Sequence, residues 1–299
     1  MTAEATRSGG SRSGPAGITV PLPGSGPAFL SRRQLFGRVG STNDVVRGWL
    51  AAGVAEVCLA VADEQTAGRG REGRRWLAPS GAALLISLGF RPAWLPSDGA
   101  WRLAAAVALA MADAAIEVAG LPAGSVALKW PNDLVIEDGG PRDPRPGILR
   151  KLAGLLGETD GLGSGDPRAV IGIGVNVDWP AAAFPAELAA GMTSLRECAG
   201  DHPVDRSALL EAFLARLEPR VVALRAGRFD GHEWAGRQVT TGRDVTLELA
   251  EGRRETVQAV GVDRLSGALL VGQGLVPRQV FSAEIQHVRL AGHRARGEV

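Results

Sequence analysis

Residues 64–76 read EQTAGRGREGRRW, with glycine at 68, 70 and 73, arginine at 69, 71, 74 and 75, and a closing Trp76. Glycines let consecutive backbone N–H groups turn into one concavity that suits an anion. Arginine adds a permanently charged planar fork matched to phosphate or carboxylate. The indole offers a flat face to a ring. The stretch therefore reads as a loop that closes over a phosphorylated, ring-bearing ligand, with an exposed basic loop or weak nucleic-acid patch as the plainer alternative. Its flanks settle the architecture. EVCLAVADEQ (56–65) before it and AALLISLGF (82–90) after it are aliphatic and read as core strands. A charged, glycine-rich loop between two such strands is a mobile lid on a rigid sheet.

Composition narrows the function classes. The chain has 299 residues, 45% of them hydrophobic, which is ordinary for a protein with a real core. Its net charge of +1 supplies no global field for nucleic acid or an anionic membrane, so the positive charge of the loop is local. Cys58 and Cys198 lie far apart in no metal-like spacing, and read as buried thiols of a reducing cytoplasm. The four histidines (His202, His232, His287, His293) are isolated, which argues against a zinc site. No GxSxG elbow is present, which removes the easiest hydrolase reading. Residues 1–27, almost entirely Gly, Ser, Pro, Ala, Thr and Arg, read as a disordered leader without the apolar core of a secretory signal.

Outward from the loop, Ser41-Thr42-Asn43 precedes DVVRGWLAAG, an amphipathic helix with Gly53 as its stop. These three residues either cap the helix or also hydrogen-bond a ligand. Residues 99–120 read as a long alanine-rich core helix, too polar to span a membrane. In ALKWPNDLVIE (127–137), two short strands flank a turn that crowds Lys129, Asn132 and Asp133; a plain hairpin would use the same turn formers. Residues 138–150 are a Pro- and Gly-rich loop. Lys151 then heads the strand KLAGLLGE, where a lysine either meets an anion or faces solvent at the strand edge. AVIGIGVNV (169–177) is a further strand whose glycines leave room for close approach, and no helix follows to make it a dinucleotide motif. A helix capped by Asp205 and kinked at Pro219 runs to Gly227. From 237 to 290 short β-runs, beginning with RQVT, suggest a small barrel, with a module boundary near 228–236.

STN (41–43), EQTAGRGREGRRW, KWPND (129–133), KLAGLLGE (151–158) and VIGIGVNV (170–177) occur here in one order. Together they resemble the biotin protein ligases, the biotin–acetyl-CoA-carboxylase ligase family, over most of 38–290. The resemblance implies an α+β fold: a catalytic domain (28–229) with a mostly antiparallel sheet backed by helices, and a small SH3-like β-barrel (230–295). It implies the monofunctional type, because the leader stands where some members carry a DNA-binding domain.

The implied reaction has two steps. Biotin and ATP, with Mg2+, form biotinyl-5′-AMP. A lysine on the biotin carboxyl carrier domain of a biotin-dependent carboxylase then takes the biotinyl group. By resemblance, Lys151, Arg69, Arg71 and Asp133 are the catalytic candidates. Lys151 would neutralise the biotin carboxylate and α-phosphate, and Asp133 would orient or deprotonate the acceptor lysine. Ser41, Thr42, Asn43, Gln65, Gly70, Gly154 and Gly174 would join Lys151 and the two arginines around biotin. Arg74, Trp76, Lys129 and Asn132 would hold the nucleotide, with Trp76 on the adenine and Asn132 also near the metal. No nucleic acid or membrane partner is expected, the site of action is cytoplasmic, and the protein is a monomer or weak homodimer. The rival readings are a lipoate or octanoate ligase of the same catalytic fold, which would use a differently arranged glycine motif or a cysteine nucleophile, and a non-catalytic biotin-binding regulator.

Overall fold

The structure, a computed structural model, describes residues 29–138, 147–249, 253–272, 276–282 and 285–290. The proposed leader and the middle of the 138–150 loop lie outside these. The chain enters through β1 (Arg32–Val39), crosses over by α1 (Thr42–Ala51) and returns as β2 (Cys58–Gln65). β3 (Ala83–Phe90) and the long α2 (Trp101–Val118) follow, then β4 (Val126–Lys129), β5 (Asp133–Glu137), β6 (Leu149–Asp160) and β7 (Arg168–Asn176). These strands make one sheet in the order β1-β2-β3-β7-β6-β5-β4. Every neighbouring pair is antiparallel except β1 with β2, which needs the crossover helix.

Strand alternation gives the sheet two different faces. Leu84, Ile86, Leu88 and Phe90 of β3, with Ile171 and Ile173 of β7, point to the core covered by α2 and by α5 (Arg206–Arg225). The opposite face carries smaller residues. There Cys58, Ala60 and Val170 pack under Val46 and Leu50 of α1. A Cβ on Gly89 would stand 2.7 Å from Val46 Cγ1, so its lack of a side chain lets α1 sit close. Burial at this contact pushes the Cys58 thiol up to about 11, and both cysteines are free. Beyond α1 this face is open, and there the candidate site lies.

One expectation about a helix needs adjustment. Polarity does not bar the α2 segment from a membrane, because residues 97–118 are long and apolar enough by length and composition. Packing is what identifies it as a core helix: Leu103, Val107, Leu109, Met111 and Ala114 are buried between the sheet and α5. Pro219 removes one backbone donor without ending α5, and the Asp205 carboxylate accepts from the Ser207 N–H as the expected cap.

After β7 come two short helices, α3 (Ala186–Ala189) and α4 (Leu195–Cys198); after α5 comes α6 (Gly231–Gly236). A second, antiparallel sheet follows: β8 (Asp244–Leu249), β9 (Arg254–Val262), β10 (Leu269–Val271), β11 (Arg278–Val280) and β12 (Ile285–Leu290), ordered β11-β10-β9-β8-β12. RQVT (237–240), expected as its first strand, belongs elsewhere. Gln238 makes a single bridge with Leu128, where Leu128 N–H donates to Arg237 O at 2.9 Å and Val239 N–H to Leu128 O at 2.9 Å. The segment thus covers the outer edge of β4, which would otherwise expose unpaired backbone groups. The two sheets meet around tryptophans. Trp101 packs edge-on against Phe229 at 5.2 Å and at a tilt of 49° against Trp234 at 4.7 Å, and Trp130 Nε1 donates to Gly267 O at 3.0 Å.

Candidate active site

A cleft of about 380 Å3 opens on the α1 side of the sheet. Its floor is made of Gly154 on β6 and Gly172 and Gly174 on β7. Missing side chains are what create the space. A Cβ on Gly174 would stand 2.5 Å from Trp76 Cε2, and one on Gly172 2.2 Å from Asn43 Oδ1. Trp76, carried in by the loop after β2, lies flat against this floor.

Lys151 reaches the cleft because β6 is irregular. Asp133 pairs with Gly154 and Leu134 with Ala153, but Val135 pairs with Lys151, so one residue is extra. Leu152 and Ala153 consequently both turn to the core. The bulge brings Lys151 back to the open face, where regular alternation from Gly154 would have put Leu152. Lys151 Nζ then lies 2.6 Å from Asp133 Oδ1 and 5.5 Å above the Trp76 ring. Its backbone is clamped from the other side: Lys151 N–H donates to Gly191 O at 2.8 Å, and Thr193 N–H donates to Lys151 O at 2.9 Å. In the neighbouring β4–β5 turn Asn132 Nδ2 donates to Leu155 O at 2.7 Å, so its carbonyl is left for another partner. Lys129 lines the cleft beside it.

The opposite end is polar and buried. Ser41, Thr42 and Asn43 are all at most 4% exposed. Ser41 holds the N-cap position of α1, yet its side chain makes no capping hydrogen bond, so capping alone does not explain this triplet. Thr42 N–H donates to Gln65 Oε1 at 2.7 Å, and the Thr42 hydroxyl lies 3.0 Å from the same oxygen. Ser87 Oγ, from the middle of β3, stands 2.7 Å from Thr42 Oγ1 and 2.6 Å from Asn43 Oδ1. Asn43 Nδ2 donates to Glu158 Oε2 at 2.7 Å.

The glycine–arginine loop forms a small hairpin over the cleft. Gly70 N–H donates to Arg74 O at 2.6 Å, and Trp76 N–H to Gly68 O at 2.9 Å. The tip turns at Glu72 (φ 56) and Gly73 (φ 68), both in the left-handed region. Its arginines differ in use. Arg69 forms a two-pronged pair with Asp44 of α1, at 2.8 and 2.7 Å, and these bonds hold the Asp44 carboxyl below the usual carboxylate range. Arg71 donates to Ser282 O near the second sheet, and burial pulls its guanidinium below its ordinary value. Arg74 Nε donates to Arg71 O at 3.3 Å, with its side chain on the exposed outer wall.

Every candidate site residue named from the sequence lines this cleft. Sequence reasoning missed Ser87, Glu158 and Asp44 as parts of the site, together with the wall formed by Trp179, Leu188 and Met192. A signal existed for Ser87, a lone hydroxyl inside an apolar strand. None existed for the 187–192 wall, whose composition is unremarkable.

The chain is similar to known proteins over most of its length. Residues 35–176 match the biotin/lipoate A/B protein ligase family. The biotin–[acetyl-CoA-carboxylase] ligase of Mycobacterium tuberculosis is 30% identical over 254 residues, which cover 84% of this chain and 87% of that one. The ligase of the same name from Paracoccus denitrificans is 31% identical over 246 residues, covering 78% and 91%. Among solved structures, the biotin protein ligase of Aquifex aeolicus in complex with biotin and ATP superposes with a TM-score of 0.70 at 26% identity, covering 87% of this chain and 99% of that one. The chain therefore belongs to the biotin/lipoate A/B protein ligase family, among its biotin protein ligases.

Proposed function

We propose that this protein activates biotin with ATP and transfers it to a lysine of a biotin carboxyl carrier domain. The observation that carries this reading is the polarity of one cleft. Buried hydrogen-bonding groups stand at the α1 end, a side-chain-free floor in the middle, and Lys151 with Asp133 at the other end. A molecule with a small polar ring at one end and a carboxylate at the other suits that order.

In the first step a biotin carboxylate oxygen forms a bond to the α-phosphorus of ATP. The α–β P–O bond breaks, and pyrophosphate leaves with the electron pair. Two anions must approach, so Lys151 serves both by exchanging its contact with Asp133 for the carboxylate and α-phosphate. Arg69, Gly70 and Arg71 close over the mixed anhydride and keep water away. Arg74, Lys129 and Asn132 hold the nucleotide, and Trp76 offers its face to the adenine. Magnesium fits as a companion of ATP. Among the described residues no cluster of three or more His, Cys, Asp or Glu could hold a metal alone, but the side-chain carbonyl of Asn132, which lines the cleft, would supply an oxygen to magnesium arriving with the phosphates. Bound there, the ion would offset phosphate charge.

In the second step the acceptor ε-amine attacks the biotinyl carbonyl. AMP departs with the bonding pair, and the amine's proton leaves. Asp133, released as Lys151 turns to the anions, orients that amine or takes its proton. Biotin-dependent pyrophosphate release in the absence of carrier tests the first step. Lys151→Ala should lower it by about 10²–10³-fold. Asp133→Asn should preserve pyrophosphate release and slow transfer; unchanged transfer would remove the assigned role.

The proposal also divides the chain at 28–229 and 230–295, the second part being an SH3-like barrel. The five short antiparallel strands support that division. It places the reaction in the cytoplasm, with the protein a monomer or weak homodimer and without nucleic-acid or membrane partners.

A further inference from the structure

We infer that Glu158 and Ser87, neither of which lines the cleft, are positioning residues that fix the direction of the buried hydrogen-bond chain at its polar end, so that Thr42 presents lone pairs to the ligand. This rests on the biotin reading of that end.

The argument is a count of protons. Asn43 has little freedom, because its amide lies on bare Gly172 backbone. It could still present either atom to either neighbour. A carboxylate accepts and does not donate, so Glu158 requires the amide nitrogen, at 2.7 Å. Glu158 is itself fixed from the other side by Arg47 Nη2 at 2.7 Å and Arg69 Nη2 at 3.5 Å. Asn43 Oδ1 therefore faces Ser87, 2.6 Å away. That oxygen only accepts, so the single Ser87 proton is committed to it. Two contacts then compete for the single Thr42 proton, and the one to Ser87, at 2.7 Å, has the usual O–H···O length while the one to Gln65 is longer, so Thr42 donates to Ser87. Thr42 has spent its own proton inward, and its Oγ1 lies 3.0 Å from Gln65 Oε1, which already accepts from the Thr42 N–H.

Two hydroxyl protons thus serve three oxygen–oxygen contacts. The contact left without one, between Thr42 and Gln65, belongs to residues that line the cleft. Two acceptors side by side, Thr42 buried and Gln65 half-buried, call for a donor, since an unserved polar group away from water is costly. A ureido N–H supplies it; a ring oxygen at the same position would add a third set of lone pairs. Discrimination of this kind, where a site built for an N–H meets an analogue lacking it, can be large. If Ser87 is removed, the Thr42 proton is free to turn to Gln65 and the demand for a donor disappears.

The test is calorimetric binding of biotin, and of analogues with oxygen in place of either ureido N–H, to the full chain and to Ser87→Ala and Glu158→Gln. Binding of ATP serves as a control for packing. The expected result is that biotin binds about tenfold more weakly to each variant, that the preference for biotin over its oxygen analogues shrinks by a similar factor, and that ATP affinity is unchanged. Variants that bind more weakly but keep the wild-type preference, or that bind as wild type, would overturn the positioning role alone. A wild-type protein that binds no biotin would overturn the reading of the polar end and this inference with it.

Discussion

Asp44 and Asp133 each hold a cation that an anionic substrate also attracts. Asp133 engages Lys151 at 2.6 Å, so the central lysine changes partner rather than gaining its first one when an anion enters. Asp44 secures Arg69, and thereby the base of the lid, to the first turn of α1. The Arg69 hydrogen bonds lower the Asp44 pKa, which makes this tie dependent on pH. A carboxyl whose folded value is depressed adds stability above its unfolded value, near pH 4, and loses it as pH falls through the folded value. Thermal unfolding between neutral pH and pH 3 should therefore fall more steeply in the wild type than in Asp44→Asn; parallel curves would mean that the pair contributes nothing, as exposed ion pairs often do. The candidate residues with distinctive chemistry were legible in the sequence, because charge, glycine and turn residues cluster in short stretches. Ser87 and Glu158 were not, since their importance comes from strands β3 and β6 presenting them to the same face beneath α1.

At the scale of the element, the bulge in β6 and the glycines of β6 and β7 build the cleft by leaving things out. Gly174 lacks a positive φ, so alanine there is compatible with the backbone and conflicts only with Trp76, whose ring would stand 2.5 Å from the new Cβ. Gly174→Ala should displace the indole, seen as a shift in tryptophan fluorescence, and weaken biotin binding by about tenfold or more; wild-type affinity would show that Trp76 has another equally good resting place. Apolar patterning identified β2, β3, β7 and α2, which bury long runs, and α5, which buries a spaced stripe, while β6 was visible in the shorter run KLAGLLGE. β1 escaped it: RRQLFGRV carries three arginines and forms a half-exposed edge. The bulge escaped as well, because a one-residue slip is a property of the pairing and leaves no mark in local composition.

For the whole molecule, the second sheet is joined to the first at the same turn that carries the site. Trp130, between Lys129 and the Asn132–Asp133 pair, donates from its indole to Gly267 O and from its backbone to Thr240 Oγ1 at 3.0 Å. Arg71 reaches the Ser282 carbonyl from the lid. Gly267 has φ +75, and a Cβ there would meet the Trp101 ring at 2.6 Å. Gly267→Ala should cost about 1–3 kcal/mol in urea unfolding and lower activity by disturbing the turn; an unchanged midpoint would mean that the two sheets are only loosely joined. The β-rich character of the tail was plain from its short alternating runs, whereas its seam with α2 depends on aromatic residues more than a hundred positions apart. The most direct test of the account is the intact mass of a purified biotin carboxyl carrier domain after incubation with this protein, ATP and magnesium, with either biotin or lipoate. One biotinyl increment is predicted with biotin, none with lipoate and none with Lys151→Ala. A lipoyl increment, or a biotinyl increment that persists in the Lys151 variant, would contradict it.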